Sequence, residues 1–121
     1  MKHLGGRVLY FYEPELLGED GTLLVLSDWI DEYTVVVNGD TLTNLDLKRM
    51  FDLSGGNAIK FMDGDVYAGV RIIPPKGLIT KETKYYDPEA WWCDMGTFKG
   101  LKRLNNILKN EKASSLWKLR N

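Results

Sequence analysis

The sequence predicts an α/β domain in which strands and helices alternate before a hairpin is added. Three observations carry this. Segments of β-branched and aromatic residues, 7–13 and 33–37, alternate with segments whose apolar residues recur at helical spacing. Asp63-Gly64 lies between two apolar runs, and that dipeptide favours a tight hairpin turn. Glycine or proline punctuates the junctions, as at Pro14, Gly55-Gly56 and Pro74-Pro75. Strand, helix, strand, helix, hairpin, helix gives a partial mixed sheet flanked by helices, with a parallel beginning and an antiparallel addition.

"RVLYFYE", residues 7–13, reads as the first strand, and "PELLGEDGT" after it as a loop. Over residues 22–30 Leu23, Leu26 and Ile30 fall at helical spacing, with Leu24 widening the face and Thr22 or Asp20 available as a cap. "YTVVV" is the second strand and ends in the loop Asn38-Gly39-Asp40. A right-handed crossover would set it beside residues 7–13, with Asp40 at the carboxyl end where ligands gather in such sheets. "NLDLKRMFDLS", residues 44–54, is a second helix, capped by Thr43 or Asn44 and stopped by Gly55-Gly56. Residues 57–73 form the two strands of the hairpin, ended by Pro74-Pro75, and residues 81–96 are extended and aromatic. A helix from near Thr97 closes the pattern, with Phe98, Leu101, Leu104 and Leu108 on one stripe.

At 121 residues the chain is read as a single domain, residues 1–121. Its 16 basic and 17 acidic residues nearly cancel, which argues against a nucleic-acid partner. The basic stretch 101–121 reads as a solvated helix face, with a weak anion patch as the alternative. Cys93 is the one cysteine, so an intramolecular disulfide and a cysteine zinc site are both excluded. His3 is the one histidine and sits near a terminus, so chemistry must rest on carboxylates or lysines. No apolar run has the length of a signal peptide or a membrane span, and a cytoplasmic location with no membrane partner is expected. Tyr10, Phe11, Tyr12, Tyr85, Tyr86, Trp91, Trp92 and Trp117 are expected mostly in the core, the remainder offering surface for a homodimer.

Two stretches carry chemistry. "VVVNGD" and "WWCDMGT" each place a carboxylate, Asp40 or Asp94, at the end of a buried segment beside a glycine. Two such aspartates from distant parts of the chain are the donor set Mg²⁺ prefers, with the other positions left to water and phosphate oxygens. The plainer alternatives are a turn or helix-entry aspartate at Asp40 and a helix cap at Asp94.

These residues resemble the sugar-1-phosphate nucleotidyltransferases, or NDP-sugar pyrophosphorylases. "YEPELLGEDGTLLVLSDWIDEYTVVVNGDTLTNLDLKRMF" is similar to the family's stretch in which a glycine-containing loop and helix precede "VNGD". "YAGVRIIPPKGL" resembles its "NAGIYVFSPE" strand, and "WWCDMGTFKGLKRLNN" its "W-x-D-x-G-T-x-x-x-L" ending. The three blocks keep the family's order over residues 7–106. The resemblance implies a Rossmann-like fold and transfer of a nucleoside monophosphate to a sugar 1-phosphate with release of pyrophosphate. It implies catalytic, Mg²⁺-binding roles for Asp40 and Asp94. It implies substrate contacts at Leu17, Gly18 and Gly21 near the base, at Asn38 and Gly39, and at Ala68 and Gly69 near the sugar.

The chain departs from the family in two places. It lacks the glycine-rich "G-x-G-T-R-L-x-P" loop whose backbone N–H groups cradle the triphosphate. "LGGRV", residues 4–8, is a poor substitute because no strand precedes it. Between Phe51 and Tyr67 the bridge is short and holds Lys60 as its one lysine; Lys60 and Lys76 are weak candidates for a phosphate ligand. A truncated or minimised member is therefore expected, its sheet edge exposed, covered by a dimer or completed by a second polypeptide. The functional expectation is such an enzyme or, alternatively, an inactive module that binds a nucleotide, a nucleotide-sugar or a protein.

Overall fold

The computed structural model describes residues 5–77 and 81–110. His3, Leu4, Trp117 and the basic stretch beyond Asn110 lie outside the described residues. The elements are α1 (Gly18–Leu26), β1 (Thr34–Val37), β2 (Thr41–Thr43), α2 (Leu47–Asp52), β3 (Ala58–Asp63), β4 (Val66–Ile73), β5 (Glu82–Tyr85), β6 (Trp92–Asp94) and α3 (Phe98–Leu108). Single 3₁₀ turns cover Ser27–Trp29 and Pro75–Gly77.

The architecture is mixed α/β, and the sheet is mixed. Its four strands run β1-β4-β3-β5, with β1–β4 and β4–β3 antiparallel and β3–β5 parallel. β2 and β6 form a separate antiparallel pair. The hairpin is where the sequence puts it, with Gly64 at φ 60° in its turn. The parallel beginning is not. Residues 7–13 form no strand, and Val8, Leu9, Tyr10, Phe11 and Tyr12 are exposed. Strand propensity is realised only against a partner edge. The neighbour of β1 is β4, and among the described residues its other edge is unpaired.

The sheet is covered on both faces. Met50 of α2 descends on Ile59, Phe61, Ala68, Val70, Ile72 and Tyr85, the main core. On the opposite face Leu23 of α1 and Ile30 meet Ile73. That second face also holds a charge: the Arg71 side chain is 4% exposed and lies 2.9 Å from Asp20, 3.6 Å from Glu19 and 3.7 Å from Glu82. Tyr67 donates to Glu19 Oε1 at 3.0 Å, tying α1 to the start of β4. Burial, followed by the Glu19 carboxylate, pushes the Tyr67 phenol above its usual range.

Several local expectations are corrected. α1 begins at Gly18, before the expected start, and neither Thr22 nor Asp20 caps it; the Thr22 hydroxyl instead donates to Gly18 O and to the Glu13 carboxylate. Leu24 faces solvent, 71% exposed. α2 is capped by Asp46, whose side chain accepts from Arg49 N, rather than by Thr43 or Asn44. The Thr43 hydroxyl and the Asn44 amide are used across the fold, on Trp91 O and Trp91 N. In α3 the buried position is Gly100, while Phe98, Leu101 and Leu108 lie exposed. Of the expected core aromatics among the described residues only Tyr85 is buried; Trp91 and Trp92 are half-buried, and Tyr10, Phe11, Tyr12 and Tyr86 are exposed.

Candidate functional site: two aspartates at one end of a strand pair

Asp40 and Asp94 meet, and the reason is local. β1 ends at Val37, Asn38 N donates to Gly69 O at 2.9 Å, and the chain turns so that Thr41 N donates to Asn38 O at 3.1 Å. Asp40 thereby immediately precedes β2, whose first residue, Thr41, lies opposite Asp94, the last residue of β6. Antiparallel pairing brings the start of one strand to the end of the other, so the two carboxylates share one end of the pair. Met95 N donates to Asp40 O at 2.8 Å and closes the two loops on each other. The sequence pattern set Asp40 at the carboxyl end of a strand beside residues 7–13; the strand that ends before Asp40 pairs instead with β4, and it is the β2–β6 pairing that brings Asp94 to it.

The two carboxylates flank one point: the position a Cβ would take at Gly96 lies within about 3 Å of an oxygen of each. The Asp40 carboxyl is held above its ordinary range, first by its hydrogen bond with Asp94, then by desolvation, then by the neighbouring negative charge. Asp94 Oδ1 also accepts from Gly96 N at 2.7 Å, which fixes its orientation. It does not cap α3; Thr97 does, accepting from Gly100 N at 2.9 Å. Asp40 is no helix-entry residue, since α2 has Asp46, but it does sit in a turn, as the plainer alternative expected.

Glycine opens the space beside the pair. A Cβ at Gly96 would stand 2.6 Å from Asp40 Oδ2 and 3.1 Å from Asp94 Oδ1, between the two carboxylates. At Gly69, with φ 81°, a Cβ would overlap the Thr41 hydroxyl and come 3.2 Å from Asn38 Nδ2. A cavity of about 210 Å³ beside the pair is lined by Asn38, Asp40, Ala68, Gly69, Trp92 and Asp94 among others. A second cavity of about 800 Å³ follows the unpaired edge of β1 and is lined by Gly18, Val37, Asn38 and Gly39, so Asn38 faces both. Leu17 and Gly21 line neither cavity; they face each other at the start of α1, where a Gly21 Cβ would stand 2.9 Å from Leu17 Cβ.

The two candidate lysines are placed elsewhere. Lys60 is 3.7 Å from Glu82 and lies over the Tyr67 ring at 4.6 Å. Lys76 follows the far end of β4, where Ile73 pairs with Thr34, while the site adjoins Gly69. A third cavity of about 330 Å³ shares Val66, Trp92 and Asp94 with the carboxylate cavity and is also lined by Lys99 and Arg103. Sequence reasoning passed over Lys99 and took Arg103 only as part of the basic stretch 101–121, with its weak anion patch as the alternative; a further signal was the absence of any acidic residue between Met95 and Asn110.

Among the described residues no third histidine, cysteine, aspartate or glutamate stands with Asp40 and Asp94 to complete a closed metal cage. The pair fits a hard cation that keeps open positions, because Mg²⁺ is bound by one or two carboxylates and retains water or phosphate oxygens. It does not fit a structural zinc, whose tetrahedron is filled by four cysteine or histidine ligands, nor a catalytic zinc, which takes three protein ligands. Cys93 is buried, and burial is the first cause raising its thiol above the usual range, so it offers no reactive thiolate. No helix among the described residues is long and apolar enough to cross a membrane. Comparison with protein-family models, with curated proteins and with solved structures finds no match to this chain.

Proposed function

We propose that the chain is a nucleotidyltransferase-like domain with a reduced Rossmann-like fold, related to the enzymes that join a nucleoside triphosphate to a sugar 1-phosphate. Its ligand is a nucleotide or nucleotide-sugar, bound at its phosphate end through Mg²⁺ on Asp40 and Asp94. The observation that carries this reading is the convergence of two aspartates, distant in the chain, beside a glycine whose missing Cβ leaves the space between them open. Bound Mg²⁺ would neutralise charge on the phosphate oxygens. The chain's own residues orient the ligand: Gly96 N fixes Asp94, and the bare backbone at Gly69 lets a polar ligand approach Asn38 and Thr41.

The size of the site favours binding without turnover by this chain alone as the second reading. The carboxylate cavity of about 210 Å³ is below the roughly 300–1,000 Å³ usual for small-molecule sites, so it takes a phosphate and its neighbours and not a whole nucleotide-sugar. The unpaired edge of β1 and its groove of about 800 Å³ supply the place where a second copy or a complementing polypeptide would extend the sheet. The test is incubation with Mg²⁺, each nucleoside triphosphate and a sugar 1-phosphate, followed by assay of pyrophosphate. Release supports the enzyme. No release, with calorimetric binding of a nucleotide-sugar, supports the binding module. Neither release nor binding overturns both.

A further inference from the structure

The cavity beside Asp94 is lined by two cations, Lys99 and Arg103, and by a second carboxylate, Asp63. Gly100 seats α3 directly on the Asp94 carbonyl, since a Cβ there would overlap that oxygen. The first turns of α3 are thereby held against the carboxylate pair, and Lys99 and Arg103 line the adjoining cavity of about 330 Å³. Among the described residues Lys99 has no carboxylate within ion-pairing distance. Arg103 is only loosely engaged. Its guanidinium lies over the Trp92 ring at 5.2 Å and its Nη2 is 3.9 Å from Asp63 Oδ2, which already accepts from Trp92 Nε1 at 2.8 Å.

Three carboxylates, Asp40, Asp94 and Asp63, and two cations therefore border two cavities that share Val66, Trp92 and Asp94; of the cations Lys99 has no ion-pair partner among the described residues and Arg103 has Asp63 alone, at 3.9 Å. Opposite charges placed only to stabilise the fold would pair directly. Here Asp94 turns to Asp40 and to Gly96 N, and the cations point into the neighbouring cavity. A ligand that satisfies both sets carries a divalent cation at one end and spare phosphate oxygens at the other. Arginine placed over an aromatic ring still offers its N–H fork to phosphate, and lysine adds a point charge.

We infer that the cavity lined by Lys99 and Arg103 is an anion subsite for a phosphate group of a magnesium-bound diphosphate or phosphoester, whose other oxygens reach the cation at Asp40 and Asp94. The inference rests on the Mg²⁺ reading of that pair and adds the residues that hold the phosphate.

Calorimetric titration of the whole chain with inorganic pyrophosphate, with and without Mg²⁺, tests it. Wild type binds pyrophosphate in a Mg²⁺-dependent manner. Lys99→Ala and Arg103→Ala each weaken that binding about tenfold or more, while Mg²⁺ titrated alone binds them as it binds wild type. Arg103→Lys, which keeps the charge and a shorter stack on Trp92, recovers part of the loss. Lys102→Ala, on the same helix but outside the cavity, changes nothing. Unchanged pyrophosphate binding in Lys99→Ala and Arg103→Ala, with Mg²⁺ still bound, overturns the subsite and leaves the cation reading standing. Failure of wild type to bind Mg²⁺ overturns the cation reading and the subsite with it.

Discussion

Replacing Gly100 by alanine sets two effects of opposite sign against each other. In an exposed helix interior alanine is favoured over glycine by about 1 kcal/mol. Gly100 is buried, and its added Cβ would overlap the Asp94 carbonyl oxygen, stand 2.6 Å from the carbonyl carbon and lie 3.0 Å from Thr97 Oγ1. None of these neighbours is the loose end of a long side chain. The carbonyl belongs to β6, held opposite Thr41, and the Thr97 hydroxyl is the helix cap. Relief therefore requires α3 to move away from β6, which is outside the range of side-chain adjustment. Overpacking of this kind costs about 1–3 kcal/mol or more, and here the backbone leaves little room to relax. Taking the upper part of that range and subtracting the propensity gain leaves a net loss of about 2 kcal/mol. For a domain of this size that lowers Tm by about 8 °C. Thermal and urea unfolding followed by tryptophan fluorescence measure it, with Gly39→Ala as control because its Cβ meets nothing within 4 Å. A Gly100→Ala protein as stable as wild type, or more stable, would refute the direct seating of α3 on Asp94.

The remaining predictions concern the site and its support. Gly96→Ala places a methyl group between the two carboxylates without removing a charge, so it abolishes Mg²⁺ binding while unfolding shifts by no more than about 0.5 kcal/mol; retained Mg²⁺ binding counts against the site. The Asp40 carboxyl is raised from its ordinary 3.8, so the folded state holds a proton that the unfolded state releases earlier. Its contribution to stability is full below that ordinary value and is lost as pH rises through the elevated one. Wild type therefore loses stability relative to Asp40→Asn across that window, and saturating Mg²⁺ restores it at neutral pH; parallel pH profiles would contradict this. Arg71→Leu removes a buried cation from Glu19, Asp20 and Glu82 and destabilises the fold by about 3 kcal/mol, read from urea midpoints; a neutral effect would mean that the charges do not depend on one another.

Local signals located the hairpin, β1, the core of α2 and the start of α3 near Thr97, because each is set by nearby residues, such as Gly64 in its turn and Gly55-Gly56 after the helix. Pairing partners were not legible. Residues 7–13 have strand composition, and composition does not say whether an edge is available. The three residues of β2 are too few to show a period of their own, yet their pairing with β6 is what unites Asp40 and Asp94. The aspartates stood out because a carboxylate beside glycine at the end of an apolar run is unusual; their common location depends on a register that no local pattern encodes. Phe98, Leu101 and Leu108 misled for a related reason. Helical spacing marks an apolar stripe, but the contact face of α3 was chosen by the smallness of Gly100.

Titration of Mn²⁺ into the chain, followed by electron paramagnetic resonance, tests the central claim most directly. Wild type should show one bound ion, displaced by excess Mg²⁺ and lost in both Asp40→Asn and Asp94→Asn with their circular dichroism unchanged. An ion that binds the two variants as well as it binds wild type, or none that binds wild type, would contradict it.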